Sequence, residues 1–225
     1  RGINALYAAQ IALDSINAQR ETFRDEDTVR IHPILTRGGD LVNVIPNDVR
    51  FETMVRGKNA EAIEDAGRKV DRALRAGPVA MGASVEISTL PGYMPLFNDQ
   101  SMSKLFKSNF LSFYGDSDWA DTGHRTGSTD MGDIAHIMPA LHPHVNGFSG
   151  TGHGSDWAID DPYLVYVLPA KLMAMTVIDL LAGKAEGAKE VMDTFKAPMT
   201  KDEYLTFMRR NGRDETFDGA AVGSE

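Results

Sequence analysis

The sequence contains no cysteine among its 225 residues. Disulfide frameworks and thiolate catalysis are therefore excluded, but the cellular compartment is left open. A cytoplasmic location is the default expectation. Basic residues are in the minority, with 23 Lys and Arg against 32 Asp and Glu, which gives a formal net charge of −9. This balance argues against nucleic acid and anionic membranes as partners, because both are bound through basic patches. No uninterrupted apolar run approaches the 18 residues typical of a membrane span.

Several catalytic signatures are also missing. The sequence has no phosphate-binding loop, no dinucleotide-binding fingerprint and no five-residue nucleophile elbow. With 42% hydrophobic and 24% charged residues, the composition is that of an ordinary globular protein. The chain starts at Arg1, with neither an initiator Met nor a signal peptide, so we expect it to be a fragment or a processed product.

The first ninety residues alternate between helical and extended patterns. Apolar spacing predicts helices over 3–18 and 59–76, the second ended by Gly77-Pro78, and strands over 28–35, 48–56 and 83–90. This order of helix, strand, strand, helix, strand matches a ferredoxin-like βαββαβ layer without its first strand. The expected class is therefore α/β, with an α+β layer in this region, and the order again indicates truncation at the N-terminus.

The pattern changes at Pro91-Gly92. Beyond it we expect a helix over 99–114, a long loop over 116–161, a helix from Pro169 to just before Gly183, and a polar helix over 185–196. A short helix should follow Thr200, and the residues from Asn211 onward read as a frayed tail. The expected divisions are 1–92, 93–197 and a C-terminal helix and tail over 198–225.

The first motif is Gly38-Gly39-x3-Asn43-Val-Ile-Pro46, followed on the next strand by Arg56. A guanidinium matches a carboxylate through two parallel hydrogen bonds, and an amide NH₂ adds a third donor. Asn43 and Arg56 are therefore candidates for binding a substrate carboxylate. The alternative is that Arg56 is a solvated strand residue and that Asn43 and Gly39 build a turn.

The second motif is Gly127-Ser-Thr-Asp-Met-Gly-Asp133, followed by Gly152-His153-Gly154. Backbone N–H groups of a glycine-rich loop can hold a carboxylate or amide oxygen, which makes Gly127 and Ser128 candidates for substrate binding. Neutral imidazole is a good zinc ligand, so His153 is a candidate metal ligand.

Together, the two motifs resemble the aminoacylase and carboxypeptidase-like family of di-zinc amidohydrolases, nearest the branch of p-aminobenzoyl-glutamate hydrolase and its dipeptidase-like relatives. The resemblance implies that 1–92 is a lid or dimerisation domain. It also implies that 93–197 is the C-terminal part of an α/β zinc-exopeptidase-like catalytic domain. Asn43, Arg56, Gly127 and Ser128 would bind the substrate carboxylate, and His153 would be the last metal ligand. A homodimer formed through the lid is expected.

The family's reaction uses two divalent metal ions, expected here to be zinc with manganese or cobalt as alternatives. They activate a water that hydrolyses the amide of an N-acyl amino acid or dipeptide with a free carboxylate. The other metal ligands and the general-base Glu would lie upstream of Arg1, so the isolated chain is expected to be inactive. Two other interpretations stay open, a non-catalytic association module and one subunit of a heteromeric hydrolase.

The remaining loop histidines are weaker candidates. His142 is a candidate for substrate contact or for support of the site. His124, His136 and His144 are interpreted as surface or hydrogen-bonded structural residues. We also expect the rings of His142 and His144 to lie on opposite faces of an extended segment.

Overall fold

The computed structural model describes residues 2–123 and 126–222 and divides the chain into two compact units. Unit 1 comprises the described parts of Arg1–Pro95, His124–Ser128 and Asp202–Glu225. Unit 2 comprises the described parts of Leu96–Gly123 and Thr129–Lys201. Both contain helices together with small two-stranded sheets, which places the chain in the mixed α/β class.

The described residues form six helices and eight short strands. The helices are α1 (Ala5–Ala18), α2 (Ala60–Met81), α3 (Gln100–Leu111), α4 (Asp130–Ala135), α5 (Leu168–Thr194) and α6 (Lys201–Asn211). The strands are β1 (Arg30–Ile31), β2 (Ile34–Arg37), β3 (Arg50–Glu52), β4 (Val55–Arg56), β5 (Ser84–Thr89), β6 (Phe148–Ser149), β7 (Ala158–Ile159) and β8 (Arg213–Asp218).

Strands β1 to β4 pair as one interrupted antiparallel hairpin. Ile31 lies opposite Val55 in the β1–β4 pair, and Leu35 lies opposite Phe51 in the β2–β3 pair. The interruption falls at His32-Pro33, where proline has no N–H to donate to a strand pairing. The sequence prediction of two extended segments here is confirmed, although each is broken in the middle. The first lies two residues later than expected, and the second starts two residues later.

The core of unit 1 lies between this hairpin and helices α1 and α2. Ile16 and Ile31 are completely buried and pack with Val70 of α2. Phe51 and Val55 are partly buried against the same cluster, so one face of the second extended segment points inward as its alternation predicts. The other face carries Met54 and Arg56, which point away from this core.

Helix α2 continues through Gly77-Pro78 to Met81, so the predicted end at this pair is wrong. Gly77 is buried, and a Cβ there would overlap the carbonyl oxygen of Ala8 in α1. The glycine therefore permits close packing of two helices, and its role is not that of a helix terminator. The helix ends at Gly82 in the left-handed conformation, and the Gly82 N–H donates to the carbonyl of Pro78.

The C-terminal segment forms strand β8, so the expectation of a frayed tail is wrong. β8 pairs antiparallel with β5 along its whole length, from Ser84 opposite Asp218 to Thr89 opposite Arg213. Ion pairs join the same segment to α2, namely Arg210–Glu64, Arg213–Asp71 and Arg75–Glu215. The sequence of β8, with Phe217 as its one large apolar residue, gave little apolar alternation from which to predict a strand.

The core of unit 2 lies between α3 and α5. Phe106, Leu168 and Leu172 are buried together, with Trp119 packed against them. Asp99 caps α3 by accepting from the Met102 N–H at 2.8 Å, which confirms a helix close to the predicted range. In α5 the backbone leaves the helical conformation over 182–185, where Gly183 has φ of +63°. The predicted end before Gly183 is therefore confirmed as a break between two helical segments.

Helix α5 is apolar on two faces. Leu172 is buried, whereas Val177, Ile178 and Leu181 are each more than half exposed. Among the described residues, one helical stretch, Tyr163–Thr194, is long and apolar enough to cross a membrane by length and composition. The core helix of a globular protein passes the same test, so the finding carries little weight alone.

Candidate functional site

One open cleft lies within unit 1 and brings together parts of both sequence motifs. Its described lining residues are Met54, Val55, Arg56, Gly57, Ile63, Gly92, Tyr93, Pro95, Thr126, Gly127 and Ser128. Arg56, Gly127 and Ser128 were each predicted from the sequence as substrate-binding residues. The fold therefore brings three of these candidates to one place from positions far apart in the chain.

Arg56 is presented to the cleft by the alternation of strand β4. Its neighbour Val55 packs into the core of unit 1, so the Arg56 side chain lies on the opposite face. The Arg56 Nη2 donates to the thioether sulfur of Met54 at 3.7 Å. Within the described part of the chain, no carboxylate forms an ion pair with Arg56. The guanidinium therefore has hydrogen-bonding capacity left for an anionic ligand.

A second arginine stands directly across the strand pair. Arg30 of β1 is opposite Arg56 of β4, and side chains of opposed residues in an antiparallel pair lie on the same face. The Arg30 Nη1 donates to the carbonyl of its neighbour Val29 at 3.4 Å. Two like charges at this position disfavour each other, so an anion placed near them would be stabilised.

The Gly127–Ser128 segment forms another wall of the cleft. Ser128 is bridged to Pro95 by an isolated antiparallel pairing, which fixes the backbone of the segment beside Tyr93. A Cβ at Gly127 would meet no atom within 4 Å. The space beside Gly127 is therefore open, and a ligand can approach its backbone closely.

Asn43 is not among the residues that line this cleft. It lies exposed in the loop between β2 and β3, whose base carries Asp48 paired with Arg37 at 2.7 Å and Arg50 at 2.8 Å. The hydrogen bond from Arg50 lowers the pKa of Asp48, and both arginine charges act in the same direction. Gly39, with φ of +131°, packs against Pro46 in this loop, as expected for a residue that builds a turn.

His142 lies in unit 2, within a short segment that also carries His144. Its backbone N–H donates to the side chain of Asn98 at 2.9 Å, and its Nδ1 is buried without a hydrogen-bond partner. The rings of His142 and His144 are 5.2 Å apart in an edge-on arrangement. The expectation of opposite faces is therefore wrong, because side chains two residues apart in an extended chain share one face.

His153 is exposed in unit 2 and has a left-handed backbone with φ of +66°. Among the described residues there is no group of three or more His, Asp and Glu side chains that could hold a metal ion. His153 can therefore supply one ligand, but the described residues do not fit a complete metal centre by themselves. A metal at this position would need further ligands from beyond the described residues.

Of the three histidines interpreted as structural, His136 is clearly so. It is buried, and its Nδ1 lies 2.7 Å from the carbonyl oxygen of Gly132 one turn earlier. His144 is exposed and contacts His142. His124 lies outside the described residues.

Sequence reasoning missed three apolar residues of the cleft, Met54, Ile63 and Tyr93. A signal existed for Met54, because it shares the outward face of its strand with Arg56. Tyr93 follows the Pro91-Gly92 boundary, and there the sequence offered no indication of which neighbours it would meet.

No protein-family model matches the chain. Among curated proteins it is similar to the Xaa-Arg dipeptidase of Homo sapiens, with 26% identity over 212 residues that cover 91% of this chain and 48% of that protein. The Xaa-Arg dipeptidase of Mus musculus is 26% identical over 214 residues, with the same shares of both chains. These similarities support a peptidase or amidohydrolase-like family. The chain spans about half the length of the curated relatives it matches.

Proposed function

We propose that this chain is part of a metal-dependent amidohydrolase or peptidase that hydrolyses the amide bond of N-acyl amino acids or dipeptides. In this proposal, the cleft of unit 1 binds the free carboxylate of the substrate. The observation that carries the proposal is the meeting of Arg56 with the Gly127–Ser128 backbone in one cleft. The similarity to two dipeptidases supports the same class of substrate.

The carboxylate would lie between the guanidinium and the backbone of the glycine-rich segment. Arg56 provides charge-assisted donors, and the thioether of Met54 contacts the guanidinium without neutralising its charge. Gly127 leaves room for the ligand, and backbone N–H groups can donate to its second oxygen. Because Asn43 stands outside the cleft lining, its contribution would require the loop that carries it to approach a bound substrate.

The proposed reaction depends on two divalent metal ions that activate the attacking water when bound, and zinc is the metal we propose. His153 is the proposed ligand from this chain. Since the described residues do not complete a metal centre, we propose that the remaining ligands and the general base come from beyond them, in an upstream segment or another chain. We therefore expect the isolated chain to bind the substrate carboxylate without hydrolysing the amide.

Residues 1–92 are proposed to be most of a ferredoxin-like lid domain, through which two copies would form a homodimer. The region contains a helix, two extended segments that are each interrupted (β1 with β2, and β3 with β4), a second helix and strand β5, which supports the proposal. Strand β8 adds a partner for β5 that the lid pattern does not contain.

The test is equilibrium binding of N-acetyl-leucine to the 225-residue chain, followed by NMR chemical shifts, with N-acetyl-leucinamide as the ligand that lacks the carboxylate. Arg56→Met should weaken binding of the acid about 10- to 100-fold, the loss typical of a charge-assisted pair. Arg72→Met is the matched control, because it removes the same charge from an exposed position on α2 outside the cleft.

Equal binding of the acid and the amide would overturn the proposed carboxylate site, as would an unchanged affinity in Arg56→Met. Hydrolysis of N-acetyl-leucine by this chain with added zinc would contradict the expected inactivity, while leaving the carboxylate site in place.

A second candidate function, association with another polypeptide, is favoured by the exposed apolar face of α5. Ile178 is 62% exposed and Leu181 is 61% exposed on a helix whose opposite face is already packed. Sedimentation of the chain and of Ile178→Lys tests this alternative. Self-association of the parent chain that the variant abolishes would support it, and a monomer in both cases would not.

A further inference from the structure

We propose that the unit 1 cleft selects substrates whose C-terminal residue has an uncharged, apolar side chain, and that Tyr93 is a specificity-determining residue. This inference rests on the proposed carboxylate site, because a carboxylate held by Arg56 places the adjacent side chain in the same cleft. The similar proteins are named for a C-terminal arginine, so the inference predicts a different preference for this chain.

The first argument is the charge of the cleft. Of the described residues that line it, Arg56 is the one charged side chain, and none is Asp or Glu. Recognition of a substrate arginine usually uses a carboxylate that accepts both of its parallel hydrogen bonds. In this cleft an arginine side chain would instead meet the like charge of Arg56, with Arg30 on the same face of the strand pair.

The second argument is the chemistry of the remaining walls. Met54, Ile63 and Tyr93 offer a thioether, an aliphatic chain and an aromatic ring. Met54 is 53% exposed and Tyr93 is 58% exposed, so both have apolar surface that a ligand can cover. A substrate side chain such as leucine or methionine would remove that surface from water, which favours binding.

Two competing preferences can be compared on the same grounds. A substrate guanidinium could stack on Tyr93, but an exposed cation–π contact gives only about a two- to fivefold gain in affinity. A substrate glutamate has a second carboxylate, and the nearest second cation, Arg30, lies on the same face of the strand pair but is not among the described residues that line the cleft. Since Arg56 is committed to the first carboxylate, the apolar side chain is the best match.

The experiment compares the binding of N-acetyl-leucine, N-acetyl-arginine and N-acetyl-glutamate to the 225-residue chain, measured by NMR chemical shifts. We expect N-acetyl-leucine to bind about tenfold more tightly than either charged ligand. N-acetyl-arginine is disfavoured by the like charge of Arg56, and N-acetyl-glutamate is disfavoured because its charged side chain would lose water against the apolar wall. Tyr93→Glu introduces a carboxylate into the wall, and Tyr93→Gln is its matched neutral control. The ratio of arginine to leucine affinity should rise at least about fivefold in Tyr93→Glu relative to Tyr93→Gln.

The outcomes separate the two proposals. Equal or tighter binding of N-acetyl-arginine or N-acetyl-glutamate would overturn the specificity inference while the carboxylate site stands. If the ratio of arginine to leucine affinity is the same in Tyr93→Glu and Tyr93→Gln, Tyr93 does not contact the substrate side chain. If none of the three acids binds and their amides behave alike, the carboxylate site fails and the specificity inference falls with it.

Discussion

The guanidinium of Arg75 on α2 donates to both carboxylate oxygens of Glu215 on β8, with Nη2 lying 2.6 Å from each. The two residues are 140 positions apart in the sequence, so the pair connects strand β8 to helix α2. The Arg75 guanidinium also lies over the ring of Phe217, at 5.7 Å from its centre. Apolar and ionic contacts of one arginine therefore act together on the same strand.

This pair predicts that β8 loosens at acidic pH. The hydrogen bond from Arg75 lowers the pKa of Glu215 in the folded chain. A lowered carboxyl pKa contributes stability above the unfolded-state value of about 4.3, and that stability is lost as the pH falls through the folded value. We expect hydrogen-exchange protection factors of β5 amides to be steady at neutral pH and to fall below about pH 4.

Glu215→Gln is the control for this pH dependence. It should lower β5 protection at neutral pH and flatten the acid-dependent change, since the titrating group is gone. Protection in the parent chain that stays constant down to about pH 3 would contradict a role for Glu215 in holding β8.

The packing of α1 against α2 predicts opposite effects of two glycine substitutions on the same helix. Gly77→Ala should lower the free energy of unfolding by about 2–4 kcal/mol, because its Cβ would overlap the Ala8 carbonyl. At Gly67 a Cβ meets no atom within 4 Å, so Gly67→Ala should raise the free energy of unfolding by about 0.5–1 kcal/mol. Urea unfolding followed by circular dichroism measures both, and a harmless Gly77→Ala would contradict the close helix contact.

The two faces of α5 predict a large difference between two alanine substitutions. Leu172 is 1% exposed, and Leu172→Ala should destabilise unit 2 by about 2–5 kcal/mol. Ile178 is 62% exposed, and Ile178→Ala should change stability by no more than about 0.5 kcal/mol. Both tryptophans, Trp119 and Trp157, belong to unit 2, so urea unfolding followed by their fluorescence reports this unit. Similar costs for the two substitutions would show that the Ile178 face is also packed in solution.

Substitutions of the buried His136 and the exposed His153 should differ in their effect on the stability of unit 2. His136→Ala should lower the stability of unit 2 by about 1–3 kcal/mol, because it removes a buried side chain and its hydrogen bond to Gly132. His153→Gly should leave stability unchanged or raise it by up to about 1 kcal/mol, since glycine adopts its left-handed backbone freely. Tryptophan fluorescence in urea measures both variants. A marked loss of stability in His153→Gly would mean that this side chain makes structural contacts.

The fold was predictable where periodicity and burial agree. Alternation identified the inward face of the second extended segment, and Phe51 and Val55 do pack into the core. Local signals failed where a distant contact decided the structure. The Gly77-Pro78 pair predicts a helix end, but in the structure Gly77 lets the backbone of α1 pack closely against α2. The helix ends at Gly82 instead.

The candidate site was predictable to a similar degree. Arg56 and Gly127 were singled out by the resemblance of the two motifs to the amidohydrolase family, and their chemistry suits a carboxylate ligand. The apolar wall could not be found, since Tyr93 and Ile63 reach the cleft through long-range packing that no local period encodes. Asn43 matched its motif, but its exposed loop is not part of the cleft lining.

The pairing of β5 with β8 also has a consequence for synthesis on the ribosome. Strand β5 ends at Thr89, but its partner runs from Arg213 to Asp218, near the other end of the chain. At the usual elongation rate of about 5–20 residues per second, β5 waits roughly 6–25 seconds before β8 emerges. During that interval its edge is open to other strands, which is a known route to aggregation. Slower translation or a denser population of ribosomes on one message should therefore lower the yield of correctly folded chain.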